Sequence, residues 1–319
     1  MLTKGRQVVG TSLVLVVLLF YGKKLVGQWD ELLALKATVH PNWGLFALSG
    51  AVVFVSYAVL IETWRRTVIA WGERISWSDA ARIWFVSNLG KYVPGGIWQI
   101  GAMGVMAQEK GVTPTAAVGS SLVVNLVNLL AGCIVTVIAG GRALGGAGFV
   151  PLSILAAVTA LATPWILPWG ARMVRRLTGR ELPEPHIPVT AVFGALIGCS
   201  IAWVLYGVAF RMLAISLFGS ASGTTASYIA VFTLAYVIGY AVLFAPAGIG
   251  VRETSLTKFL FLAHLEIGAS AALLVIVSRL WLTVLEAAPG LLYLVAGRIT
   301  RSTRSARNTT PHIDPSNGP

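Results

Sequence analysis

Twice in this chain an apolar run is broken by proline and glycine with no polar loop between its halves. The first break reads Tyr92-Val93-Pro94-Gly95-Gly96-Ile97. The second reads Leu243-Phe244-Ala245-Pro246-Ala247-Gly248-Ile249-Gly250-Val251-Arg252-Glu253, and it carries an adjacent Arg-Glu pair. In lipid such breaks are severely constrained, because backbone released from a helix finds no water and persists only against protein or an aqueous cavity. The composition places these runs in lipid. Hydrophobic residues make up 56% of the 319 and charged residues 11%, a balance that no water-soluble surface supports. The fold class is therefore an all-α polytopic membrane protein.

The net charge of +12 does not point to nucleic acid, because the lysines and arginines cluster between apolar spans, where retention on the cytoplasmic side explains them. Cys133 and Cys199 both sit inside apolar runs and read as small buried residues, not a disulfide framework. His40, His186, His264 and His312 are scattered, with no metal-ligand spacing, phosphate-binding lysine loop or dinucleotide-binding unit around them, so no metal or cofactor is expected. Lys4 and Arg6 precede an apolar run without a small-residue cleavage site, as in a retained anchor helix.

About six full transmembrane helices are legible, at residues 7–21, 43–63, 114–140, 150–169, 190–217 and 269–296. Residues 23–41 mix charge with leucine, as a helix lying at the interface does. Glu62 precedes Arg65 and Arg66 by three and four residues, the spacing of a helix-end ion pair. Around each break lies a pair of short apolar stretches, 80–92 with 97–108 and 228–244 with 251–264. A dozen helical residues cover about 18 Å, roughly half a bilayer, so the first pair reads as a re-entrant hairpin; the second reads the same way unless 228–244, about 17 residues and nearly enough to span, crosses by itself. Ser76 and Asp79 have capping-box spacing at the entry to the first.

Aligning Pro94 with Pro246 also aligns Gly96 with Gly248 and Ile97 with Ile249. The chain thus reads as one transmembrane domain, 1–298, with degenerate repeats at roughly 71–141 and 227–296 and a disordered cytoplasmic tail at 299–319. Three spans separate the hairpins, so the repeats are inverted. Loop charge agrees. With the N-terminus inside, the outer side receives only Lys23, Lys24, Lys36 and Arg142, and both termini lie in the cytoplasm.

The candidate site residues gather at the breaks. The amides of Gly248 and Gly250 begin a helix and can point at an anion, and Arg252 adds a full charge in its first turn. The bland reading is that Arg252 pairs with Glu253 or Glu286 and pins the hairpin. Arg279 and Glu286 are seven residues apart on one helix, hence on one face, and that face looks into the protein. Pairing Glu253 with Arg279 and Arg252 with Glu286 is one network this spacing permits. Near the first apex, formed by Pro94, Gly95 and Gly96, lie Asn88, Lys91 and Tyr92, with Gln99 beyond it; Pro246 marks the second apex. Lys91 either meets the same substrate from the opposite side or snorkels to the interface. Asn125, like Asn128, reads either as polar contact between helices or as a ligand.

The Lys91 to Gly96 apex, the Gly111 that ends the first hairpin and the Pro246 to Glu253 segment resemble the membrane region of the lysylphosphatidylglycerol synthases. The same unit occurs as stand-alone flippase-like proteins. The resemblance covers nearly the whole chain before the tail, with Ala247 where a second glycine is usual. It implies translocation of an aminoacylated or otherwise polar-headed, phosphate-containing lipid between leaflets of the inner membrane. Since only a short tail follows Arg298, aminoacyl transfer by this chain alone is not expected. Stand-alone members are also associated with polyprenyl-phosphate sugar pathways, which implies two further readings: a lipid-linked sugar as cargo, and a non-catalytic partner for a glycosyltransferase or lipid-modifying enzyme. An intramembrane transferase is the remaining alternative, for which the sequence offers only the isolated carboxylates Glu253 and Glu286.

Overall fold

The computed structural model describes residues 41–92, 98–140, 188–241 and 250–308, together with Gly248 and helical stretches at 153–154, 156–158 and 161–162; for 92, 114, 241 and 297–308 it describes the backbone alone. The anchor helix at 7–21, the interfacial helix at 23–41, most of the span at 150–169, the apex residues Pro94, Gly95, Gly96 and Pro246, and the tail from 309 lie outside the described residues.

The frame is a pair of long helices, α1 (Trp43–Ala70) and α5 (Val189–Phe218), packed along one another. Asn42 caps α1 by accepting the Leu45 amide at 3.0 Å, and its own amide donates to the Ser216 carbonyl at 2.8 Å. The start of α1 therefore meets the end of α5, and the two run antiparallel. Glu62 accepts from both Arg65 and Arg66 at 2.8 Å, the ion pair that the spacing predicts.

After α1 comes the first hairpin: α2 (Trp77–Asn88), a 3-10 turn (Leu89–Tyr92) and α3 (Trp98–Gln108). Ser76 caps α2 by accepting the Asp79 amide at 3.1 Å. The hairpin closes at its base, where Lys110 reaches Asp79 at 2.6 Å and the Thr113 amide donates to Glu73 at 3.1 Å. After α5 comes the second hairpin, α6 (Thr225–Ala241) and α7 (Val251–Leu262), and it closes the same way: the Tyr228 hydroxyl donates to Glu266 at 3.3 Å. Each hairpin thus begins and ends on one side. Since α1 and α5 are antiparallel and each runs into the base of its own hairpin, the hairpins enter from opposite ends of that pair.

A long helix follows each hairpin, α4 (Pro114–Gly140) and α8 (Gly268–Asn308). The packing crosses over: α2 of the first hairpin lies against α8, and α6 of the second lies against α4. Among the described residues four helices are long and apolar enough to cross a membrane: 43–70, 115–140, 189–218 and 268–296. One expectation is corrected here. Residues 299–308, taken from composition as disordered, continue α8 to Asn308. No proline or glycine stands between Gly297 and Pro311 to stop the helix.

Candidate functional site

The second break is shaped by glycine. Gly248 and Gly250 adopt φ of +68° and +89°, a left-handed backbone that side chains disfavour. A Cβ on Gly248 would lie 2.8 Å from the Gly239 carbonyl oxygen, and one on Gly239 would lie 2.8 Å from Cβ of Arg252. The break is therefore pressed against α6 at a point without side chains, and α7 starts in contact with its neighbour.

The first turn of α7 carries Arg252 and Glu253, 3% and 6% exposed. Glu253 turns back on its own helix, with Oε2 accepting the Gly250 amide at 2.7 Å, while Oε1 lies 3.4 Å from Nε of Arg279 on α8. The Gly250 amide is thus taken by the chain's own carboxylate, which corrects its reading as a donor held open for an anion. Across α8, Lys91 from the first hairpin forms an ion pair with Glu286. Glu286 therefore pairs with Lys91 rather than with Arg252. Arg279 and Glu286 are seven residues apart, about 10 Å along the helix, so both hairpin tips converge on two turns of α8.

Arg252 pairs differently. Its guanidinium lies over the rings of Tyr236 and Phe232 on α6, at 4.1 and 5.4 Å from their centroids, and Nη2 has no hydrogen-bond partner among the described residues. A cation over aromatic rings recovers about 2 kcal/mol when desolvated, whereas burying an ion costs several. Among the described residues the cluster brings Lys91, Arg252 and Arg279 together with Glu253 and Glu286. Tyr206 on α5 lies within electrostatic reach of both Arg252 and Glu286.

Two other candidates are engaged elsewhere. Asn88 accepts from Gln99 at 2.6 Å and ties the arms of the first hairpin. Asn125 donates to the Ser121 carbonyl at 2.8 Å and accepts from the Tyr240 hydroxyl at 2.5 Å, joining α4 to α6. The side chain of Tyr92 lies outside the described residues. The sequence reading missed the aromatic bed. Its signal is there: Tyr228, Phe232, Tyr236 and Tyr240 recur every fourth residue, hence on one face of α6. Gly250 and Glu253 also have capping-box spacing.

Apolar helices enclosing a charge cluster at the meeting point of two hairpins define a polytopic membrane protein with charged groups buried between its helices. The chain belongs to the family described as the lysylphosphatidylglycerol synthase TM region, whose model matches residues 7–287 and so includes every residue of the cluster. Membership places it among membrane domains related to lipid modification and transport. No curated protein matches the chain.

Proposed function

We propose that the protein translocates a polar-headed lipid between leaflets, with the cluster around α8 as the headgroup site. In this reading residues 71–141 and 227–296 are inverted repeats, and their hairpins dip into the membrane from opposite faces without crossing it. The observation that carries the proposal is Arg252: a buried cation resting on aromatic rings, whose Nη2 has no hydrogen-bond partner among the described residues. A lipid phosphate supplies the missing anion and forms charge-assisted bonds to the guanidinium. An aminoacylated headgroup also carries an ammonium, for which Glu253 is an acceptor. The lipid tail stays in the bilayer while the headgroup passes between the hairpins, and no covalent step is required.

Reconstitution in liposomes tests this directly, with headgroup-labelled phosphatidylglycerol, its aminoacylated form, a polyprenyl-phosphate sugar and phosphatidylcholine, scoring which label changes leaflet. Arg252→Ala is expected to slow exchange of the preferred lipid at least about tenfold in protein that elutes and melts as the wild type does. Exchange at the wild-type rate in that variant would sink the assignment. Release of a covalently altered lipid would replace translocation with a transferase.

A further inference from the structure

A second feature lies away from the cluster, in the crevice between α1 and α5. It encloses about 570 Å³, within the range of small-molecule sites. Its walls are apolar and open to the bilayer, with Val55 52% and Ile197 47% exposed along it. Its mouth is polar, formed by Glu62, Arg66 and Thr190. The crevice exists because α5 presents glycine there: Gly194 lines it with no atom within 4 Å of where a Cβ would stand.

The mouth is charged in a definite sense. Glu62 is shared by Arg65 and Arg66, so two cations surround one carboxylate. Arg66 commits only Nε to Glu62, at 2.8 Å, and its side chain is 77% exposed. Its terminal nitrogens make no hydrogen bond among the described residues. From Val55 to Arg66 is eleven residues, about 16 Å along a helix, or half of a hydrocarbon core of about 30 Å. The crevice therefore has the length of one leaflet's acyl chain, with a cation where the phosphate would sit.

We propose that this crevice binds one anionic phospholipid from the leaflet at the end where α1 stops, its phosphate on Arg66 and the Thr190 hydroxyl and one acyl chain against Val55 and Ile197. The site is separate from the Arg252 cluster, and it stands whether or not the protein translocates lipid.

The full chain in detergent is titrated with dioctanoyl phosphatidylglycerol and, separately, dioctanoyl phosphatidylcholine, reading the rise in melting temperature. The titrations are repeated on the Arg252→Ala background to remove any contribution of the cluster. Phosphatidylglycerol is expected to half-saturate at about tenfold lower concentration than phosphatidylcholine, as one charge-assisted contact provides. Arg66→Ala should abolish that preference and Arg66→Lys should restore part of it. Gly194→Phe, which fills the crevice, should weaken both lipids. Equal affinity for the two lipids in the starting protein, or a preference that survives Arg66→Ala, overturns the proposal. So does Gly194→Phe with unchanged titrations. If Gly194→Phe instead lowers the melting temperature of the lipid-free protein by several degrees, the crevice is filled by another segment of this chain and the proposal fails. None of these results bears on the liposome exchange of the Arg252→Ala variant.

Discussion

At the tip of the first hairpin Lys91 is neutralised by Glu286, and the two arms are tied together by Gln99 and Asn88. At the tip of the second, Glu253 is divided between the Gly250 amide and Arg279, and Arg252 is left to rest on the rings of Tyr236 and Phe232. Both tips meet the same helix, yet among the described residues Lys91 has an ion pair and Arg252 has none. A closed ion pair serves register, since removing either partner breaks the link between the first hairpin and α8. A buried cation with no ion pair among the described residues is the group that an arriving anion stabilises, and on the proposed reading this makes the second tip the one that binds.

The sharpest way to break that comparison is to remove the balance from the first tip. Glu286→Leu deprives the Lys91 ammonium of its carboxylate and is expected to cost about 3 kcal/mol in a denaturation titration of the detergent-solubilised protein. The double variant Lys91→Met, Glu286→Leu should recover most of the loss, because an apolar pair replaces the ion pair without leaving a charge behind. A single-variant cost below about 1 kcal/mol would mean that Lys91 has another anchor and that the first tip is not closed by this pair.

Much of this was legible in the residues. Proline and glycine inside apolar runs marked both breaks, the seven-residue spacing of Arg279 and Glu286 placed them on one face, and Glu253 with Arg279 was among the permitted pairs. The partner of Glu286 was not legible, because Lys91 is 195 residues away. Helical periodicity reports neighbours three and four residues apart and says nothing about which helix crosses which. That crossing depends on local relief. A Cβ on Gly290 would stand 2.7 Å from the Phe85 carbonyl oxygen, so α2 can approach α8 one turn from Glu286 only because residue 290 has no side chain. The state of the Gly250 amide was missed for a different reason: the sequence displays a donor and an acceptor three residues apart, but a site reading and a cap reading use the same two groups.

A smaller effect separates the hairpins through their glycines. Gly248 combines φ of +68° with a carbonyl oxygen 2.8 Å from a Cβ position, whereas Gly90 near the first tip has 3.0 Å to the Gln99 nitrogen and no positive φ. Gly248→Ala is expected to cost about 2 to 3 kcal/mol, the sum of a strained backbone and a displaced α6. Gly90→Ala should cost about 1 kcal/mol. The same denaturation titration orders them, and a reversal would mean that the first tip is the more tightly built.

The smallest effect is at the bases, where the hairpins differ in the sign of their response to acid. Asp79 is held below the usual carboxylate range by Lys110 and by the Ser76 hydroxyl, so its contribution is complete above 3.8 and is lost as pH falls through its lowered folded value. The carboxyl of Glu266 is pushed up by burial. Its contribution is complete below 4.5 and is lost as pH rises through the raised value. Acidification should therefore first tighten the base of the second hairpin and only later loosen that of the first. Both changes should stay within about 1 kcal/mol, since Lys110 and Asp79 are 38% and 31% exposed and water screens such pairs. Hydrogen exchange at residues 73–82 and 263–268, followed from about pH 6 to about pH 3 and corrected for the intrinsic rate, resolves the two windows. Glu266→Gln should erase the first and leave the second. If both bases loosened together on acidification, the opposite titration of the two entrances would be wrong, and the difference between the hairpins would be confined to their tips.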